Sequence, residues 1–317
     1  MKSGLGYIMI YLRIPNNGLG NQMFSYAYGR FLSEKSHDNI VLDYSDSYKS
    51  GQDHNDEFKT ILNKFNLRYA EVLFTKRNLI KRVGGKAIKF FALRKISNLI
   101  SGDDTWLCKK ENDNVKKYIK QGLYLNDDAS FYQKDYLIYE HTQDIMVHGL
   151  WQNIIYIDSI KNILKEEFCF DKVLTPSLNE IIYHIDSKSV CVHCRRGDYI
   201  GHSLLNLCSK EYFIKAIEWY TRKYSCDVLT FYIFSDDIDW VRNNIVFPGK
   251  SVFITGNLSI QDMAIMTYFS NYIISNSTFS FWGQYLSKYD NKNVVAPKQW
   301  FKHNKRCHLY EDNWITI

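Results

Sequence analysis

His193, Arg195, Arg196 and Asp198 stand together in VHCRRGDYIG, residues 192–201. Burying two guanidinium groups is costly unless they meet anions. One outcome is an internal ion pair with Asp198. The other is chemistry: the planar fork of Arg195 matches the oxygens of a diphosphate. The preceding run, SKSVCV, has the composition of a strand. Alternation along it puts His193 and Arg195 on one face, Cys194 and Arg196 on the other.

Three more runs carry polar groups at places where a ligand could sit. In NNGLGNQMF, Gly18 and Gly20 can take positive φ or let a ligand approach the backbone. Asn21 and Gln22 then suit either hydrogen bonding to a sugar or capping of a helix. The dinucleotide fingerprint would need glycine at 23, where Met23 stands. In FSDDIDW, Asp236 and Asp237 suit a metal, a ribose or the positive end of a helix. In SNSTFSFWGQYL, Ser275, Asn276, Ser277, Thr278 and Ser280 crowd one junction. Hydroxyls and free N–H groups there make an anion site or an over-supplied N-cap.

The elements that must position these residues follow from periodicity. YIMIYLRI, the Gly-rich turn, MFSYAYGRFLSEKS and NIVLDYS read as strand, turn, helix and strand, a βαβ unit. IMVHGLWQN is a strand running into a turn, and IIYIDSIKNILKEEFCF has helical spacing. Residues 52–150 otherwise give no clean period. Beyond Pro176, helix and strand alternate through LNEIIYHI, SVCVHC, SKEYFIKAIEWYTRKY, LTFYIFSD, DIDWVRNNI, SVFITG, SIQDMAIMTYFS, NYIISN, TFSFWGQYLSKY and KNVVAPKQW. That order predicts a parallel sheet covered by helices. Such sheets bind ligands beyond the carboxyl ends of their strands, which directs attention to the loops after residues 14, 194, 234, 255 and 275.

The chain has 317 residues with 24 Tyr, 19 Phe and only 4 Pro, so it can bury a large core and has no Pro-rich linker. Its net charge is +6, unevenly spread: residues 76–120 hold 13 Lys/Arg against 4 Asp/Glu. There NLIKRVGGKAIKFFALRKISNLI interleaves cations with apolar residues, as a solvated helix face or an interfacial helix would. Gly84 and Gly85 weaken a helix through it. The seven Cys are scattered and fit a reducing compartment. Cys191 and Cys194 form a CxxC on a strand, facing opposite ways, so buried thiols are expected rather than a metal or redox pair. No apolar run reaches the length of a membrane helix.

Taken together, GLGNQMFSYAYGR, HGLWQN, HCRRGDY, FSDDIDW, QDMAIM, SNSTFSFWGQYL and VVAPKQWF resemble the α1,2-fucosyltransferases, inverting enzymes that use GDP-fucose. The motifs occur in the family's order; residues 52–140 lie outside them, and Cys194 replaces a more usual aliphatic residue. The resemblance implies an α/β GT-B fold, two Rossmann-like parallel-sheet lobes facing a cleft. Residues 1–174 would form the acceptor-side lobe. Residues 175–317 would bind GDP-fucose, the last segment able to pack back on the first lobe.

Arg195 would hold the β-phosphate and stabilise the leaving group. His193 would touch the nucleotide, Asp262 guanine, and Ser277, Thr278 and Phe279 the diphosphate. Asn21 would face fucose or acceptor. Gly18, Gly20, Gln22, Arg196, Asp236, Asn276 and Ser280 complete the substrate-binding set. Asp198 is the candidate base, or else a brace for an arginine; His202 is a weaker candidate. No metal or other cofactor is expected. The expected partners are GDP-fucose and a galactose-terminated glycan, with a peripheral membrane contact through residues 76–100 and no nucleic acid. A cytoplasmic protein at the inner face of the membrane fits. The alternatives are a GDP-sugar- or glycan-binding protein of this fold without transferase activity, or a fucosyltransferase of another linkage.

Overall fold

The computed structural model describes residues 8–45, 61–101, 105–224, 229–303 and 305–317. The chain forms two compact units, Met1–Cys169 and Phe170–Ile317. Each is built on one all-parallel sheet.

The first sheet has β1 (Met9–Arg13), β2 (Asn39–Asp43), β3 (Glu71–Leu73), β4 (Leu123–Asn126) and β5 (Ile145–Gly149), in the order β3-β2-β1-β5-β4. Helix α1 (Leu19–Ser36) links β1 to β2 and is buried along most of its length. It can approach β1 closely because of Gly29: a Cβ there would lie 2.7 Å from Leu12. Its outer end is tied down by Arg30 and the Tyr26 hydroxyl, 2.9 and 2.6 Å from the Glu167 carboxylate.

The stretch without a clear period contains α2 (Lys76–Val83), α3 (Gly85–Ser101), α4 (Thr105–Asp113) and α5 (Val115–Lys120). The expected break is real and local. Gly84 takes φ +57 and ends α2, and α3 resumes at once. Leu79, Val83, Ala87 and Phe90 pack on Tyr11, Val41, Leu125 and Met146 of the sheet. The unit closes with α6 (Ile154–Asp158) and α7 (Lys161–Glu167).

The second unit opens with α8 (Pro176–Tyr183), whose N-cap Thr175 accepts a hydrogen bond from Leu178 N–H. Its sheet comprises β6 (Ser189–Cys194), β7 (Thr230–Ser235), β8 (Lys250–Phe253), β9 (Asn271–Ile273), β10 (Asn293–Ala296) and β11 (Ile315–Thr316). The order is β11-β10-β9-β6-β7-β8. Helices α9 (Lys210–Lys223), α10 (Ile238–Asn244), α11 (Ser259–Met266) and α12 (Thr278–Tyr285) complete it. Phe213, Ala216, Ile217 and Tyr220 of α9 join Val190, Val192 and Ile233 in one core. Cys191 and Cys194 are buried free thiols on β6, as alternation required; Cys226 lies outside the described residues. Among the described residues no helix is long and apolar enough to cross a membrane.

In the second sheet the strand order reverses direction once, between β6 and β9; in the first, β5 returns from the far edge to lie beside β1. Crevices outside such reversals are where open α/β sheets take ligands. In the second sheet that crevice is formed by the loops after β6 and β9; in the first, the loops after β1 and β5 emerge side by side at the carboxyl end of the sheet. The glycine-rich run, HGLWQN, HCRRGDY and SNSTFSFWG lie there.

Candidate active site

In the second unit, β6 is buried along its whole length and delivers Arg195 at its carboxyl end. Ser275, just past β9, fixes that end in place. Its Oγ accepts from Arg195 N–H at 3.0 Å and donates to the His193 carbonyl at 2.8 Å. The Arg195 side chain is then held from two sides. Nη2 lies 2.7 Å from Asp198 Oδ1 and Nη1 lies 3.0 Å from Asp236 Oδ2. It keeps about a third of its surface open, 34 %. Asp236 also accepts from Arg196 N–H at 2.8 Å. A Cβ on Gly197 would lie 2.5 Å from Asp236 Oδ2, so the glycine in Arg-Arg-Gly-Asp makes room for this carboxylate.

Arg196 does different work. Its guanidinium lies 3.4 Å from the centre of the Trp240 ring and its Nε donates to Asp237 at 3.0 Å. The substrate contact expected of Arg196 gives way to a brace against α10, the outcome of its place on the opposite face. Asp236 is likewise an arginine partner, and Asp237 caps α10 by accepting from Trp240 N–H.

His193 is buried, bonded through Nδ1 to the Ser280 hydroxyl, with its ring centre 5.2 Å from that of Phe279. Burial and the nearby Arg195 charge push its pKa down to about 3, so the imidazole is neutral. It ties the first turn of α12 to β6. Ser277 caps α12 by accepting from Phe279 N–H at 3.3 Å. Thr278 and Phe279 are half-buried at the start of the helix, where N–H groups without intrahelical partners and the helix dipole favour an anion.

Asn276 was expected to meet substrate. It is buried, its amide donates to the carbonyls of Leu205 and Trp300, and its Oδ1 accepts from Cys208 Sγ. Its side chain holds three segments together instead. Asp262 lies in the first turn of α11, half-buried, and accepts from Asn257 at 2.9 Å.

In the first unit Gly18 is the N-cap of α1 with φ −56, so positive φ is not its reason; a Cβ there would meet nothing within 4 Å. Gly20 lies within the helix. Gln22 is fully buried and donates to the Asn17 carbonyl. Asn21 Oδ1 accepts from Gln152 Nε2 at 2.9 Å, which joins the loops after β1 and β5.

The loop after β5 is tightly constrained. Gly149 has φ +141, and a Cβ on it would lie 2.2 Å from the Asn126 carbonyl oxygen. Trp151 has φ +51 and stacks on Tyr28 with centres 3.7 Å apart. Beside it, one face of four neighbouring strands ends in ionisable groups: Arg13, Asp43, Asp127 and His148. Arg13 pairs with Asp43 at 2.8 Å, and Asp127 pairs with His148 at 3.1 Å and with Arg94. Burial alone would raise the Asp127 pKa, but His148 and Arg94 outweigh it and hold the pKa at about 2. Gln152 and this charged rim were absent from the sequence-derived site, whereas Ser275 was already among the crowded polar residues of SNSTFSFWGQYL and Gly197 stood in HCRRGDY. HGLWQN, already singled out as a motif, held two of these residues, His148 and Gln152.

The model of glycosyl transferase family 11 matches residues 9–317. The chain belongs to this family. It is thus a glycosyltransferase, and its fold is the GT-B one, with two Rossmann-like parallel-sheet units. Among curated relatives it is similar to the O-antigen biosynthesis glycosyltransferase WbnK of Escherichia coli, 29% identical over 95% of this chain and 98% of that one. It is also similar to an alpha-1,2-colitosyltransferase of Escherichia coli, 30% identical over 95% and 96%. A galactoside alpha-(1,2)-fucosyltransferase 2 of Bos taurus matches at 31% over only 32% of this chain and 31% of its own length. Of solved structures, NodZ alpha-1,6-fucosyltransferase soaked with GDP-fucose superimposes with TM-score 0.54 at 11% identity, covering 92% of this chain and 96% of that one. At that identity the likeness is one of fold.

Proposed function

We propose that this family 11 glycosyltransferase moves L-fucose from GDP-fucose to the 2-hydroxyl of a terminal galactose in an oligosaccharide or lipid-linked glycan, without a metal. The observation that carries this reading is the pairing of Arg195 with the N-terminus of α12 across the β6/β9 reversal. Departure of GDP concentrates negative charge on the diphosphate. A guanidinium already oriented by Asp198 and Asp236 needs little reorganisation to meet that charge. Ser277, Thr278 and Phe279 supply hydroxyl and backbone donors to the same group, and Asp262 suits a guanine edge. The acceptor hydroxyl attacks the anomeric carbon from the far side of the sugar as the bond to the β-phosphate oxygen breaks, its proton passing to solvent or to the departing diphosphate, and a β-linked donor becomes an α-linked product. Neutral His193 shapes this site and carries no proton for the reaction near neutral pH.

The test is GDP release from GDP-fucose with galactosides, in the presence of EDTA. Turnover should persist in EDTA, and Arg195→Ala should lower kcat by roughly 100-fold or more. A strict need for Mn²⁺ would remove the metal-free mechanism, and near-normal turnover by Arg195→Ala would remove the assignment of Arg195. A second reading, a colitosyl donor on the same site, is favoured by the relative of that name, 30% identical over most of both chains. Side-by-side assay of the two sugar nucleotides separates them.

A further inference from the structure

The helices α2 to α4 contain the cationic stretch that the donor site does not use. On α3 the buried residues include Ala87, Phe90 and Ser97. At about 100° per residue, Ile88, Ala92, Ile96 and Leu99 fall on the opposite face. Ordinary surface helices are polar there. In this one Ile88 is 56%, Ile96 45% and Leu99 76% exposed, with Ile100 beside them at 68%. Scattered apolar residues are common on surfaces, but a row along about three turns of one helix marks an interaction surface. Both neighbours extend its chemistry. Helix α2 exposes Ile80, and α4 exposes Trp106 with Lys110 4.9 Å from its ring. Arg77, Lys81, Lys95, Lys109 and Lys110 are exposed on the same three helices.

We propose that α3, with α2 and α4, docks this enzyme on an anionic lipid bilayer. Apolar side chains would enter the acyl boundary while the cations meet lipid phosphates. Two alternatives fit less well. A nucleic acid would satisfy the cations but has no use for the exposed row of Ile and Leu. A second copy of the chain would cover that row but would bring like charges face to face. The contact is peripheral, since no described helix can span a membrane.

The experiment uses the whole chain and vesicles of phosphatidylcholine with or without phosphatidylglycerol. The chain should co-sediment with the anionic vesicles at low salt and be released at high salt. A blue shift of tryptophan emission should accompany binding and shrink in Trp106→Phe. The double variant Ile96→Glu/Leu99→Glu should lose about tenfold or more in vesicle binding, with its melting temperature unchanged because both sites face outward. Wild type that ignores anionic vesicles at low salt overturns the proposal. So does a double variant that binds them equally well, or one whose only defect is loss of a dimer in sedimentation velocity. Binding to duplex DNA that is tighter than to vesicles, and indifferent to the glutamates, overturns it in favour of nucleic acid. Vesicle binding needs no sugar nucleotide, so this test and that of the donor fail independently.

Discussion

Asp198 lies 2.7 Å from the Arg195 guanidinium, and that contact separates its two candidate roles. A general base must offer a basic lone pair to the acceptor hydroxyl. A carboxylate oxygen bonded to a guanidinium is a poor one, and Oδ1 is so bonded, so the contact favours a brace as the role proposed for Asp198. Asp198→Asn keeps an oxygen for the bond but loses the charge. It should lower kcat by roughly tenfold and leave the acid limb of the kcat/KM–pH profile in place. Loss of that limb, with a fall of about 1000-fold, would identify a base instead. His193 makes a complementary prediction. Its folded pKa of about 3 lies below the ordinary value of 6.5, so the folded state resists protonation. Stability from this group is complete above about pH 6.5 and is lost as pH falls toward 3, at roughly 1.4 kcal/mol per pH unit. His193→Asn should therefore flatten the acid arm of stability in denaturant titrations between about pH 6.5 and pH 4. An unchanged slope would mean the imidazole charges freely.

Two glycines at strand ends serve different ends, and substitution should separate them. Gly149→Ala places a Cβ 2.2 Å from the Asn126 backbone oxygen at φ +141, where neither partner can yield. A loss of about 3 kcal/mol is expected, roughly 6–12 °C in melting temperature. Gly197→Ala meets only the tip of the Asp236 side chain. It should leave melting nearly unchanged and lower kcat/KM, because the displaced carboxylate releases Arg195; a variant with normal kcat/KM would detach Asp236 from the site. The same contrast explains what the sequence could show. The run from His193 to Asp198 is contiguous, so alternation alone assigns His193 and Arg195 to one face and Arg196 to the other. Its anchors are remote in the chain. Ser275 is 80 residues from Arg195, Asp236 is 40 from Arg196, and Gln152 is 131 from Asn21. No local pattern pairs them. Gln22 and Asn276 show the opposite limit: an amide has the same chemistry whether it binds a sugar or a backbone carbonyl, and only the fold reveals that both are buried against carbonyls.

At the scale of the molecule, strand order contributes what motifs cannot. The alternating elements after Pro176 were enough to expect a parallel sheet, but not to place β9 beside β6. That adjacency brings the arginine loop to the serine-rich helix start. The charged rim of the first sheet was hidden for the same reason, since Arg13, Asp43, Asp127 and His148 become neighbours only once β2, β1, β5 and β4 are set side by side. Because all the proposed diphosphate contacts belong to Phe170–Ile317, GDP should leave a localised mark in hydrogen–deuterium exchange. Ligand at about 100 times its Kd stabilises the bound state by roughly 2.7 kcal/mol, or about 100-fold slower exchange where opening breaks the site. Amides of residues 193–199 and 275–281 should show that slowing, and Arg195→Ala should abolish it at the same GDP concentration. The loops after β1 and β5 would respond only when fucose or a galactoside is present as well, because Asn21 is assigned to fucose or acceptor and Gln152 is bonded to it. Protection by GDP alone that centres on residues 14–22 and 149–153 would transfer the nucleotide to the first unit and reverse the roles of the two sheets.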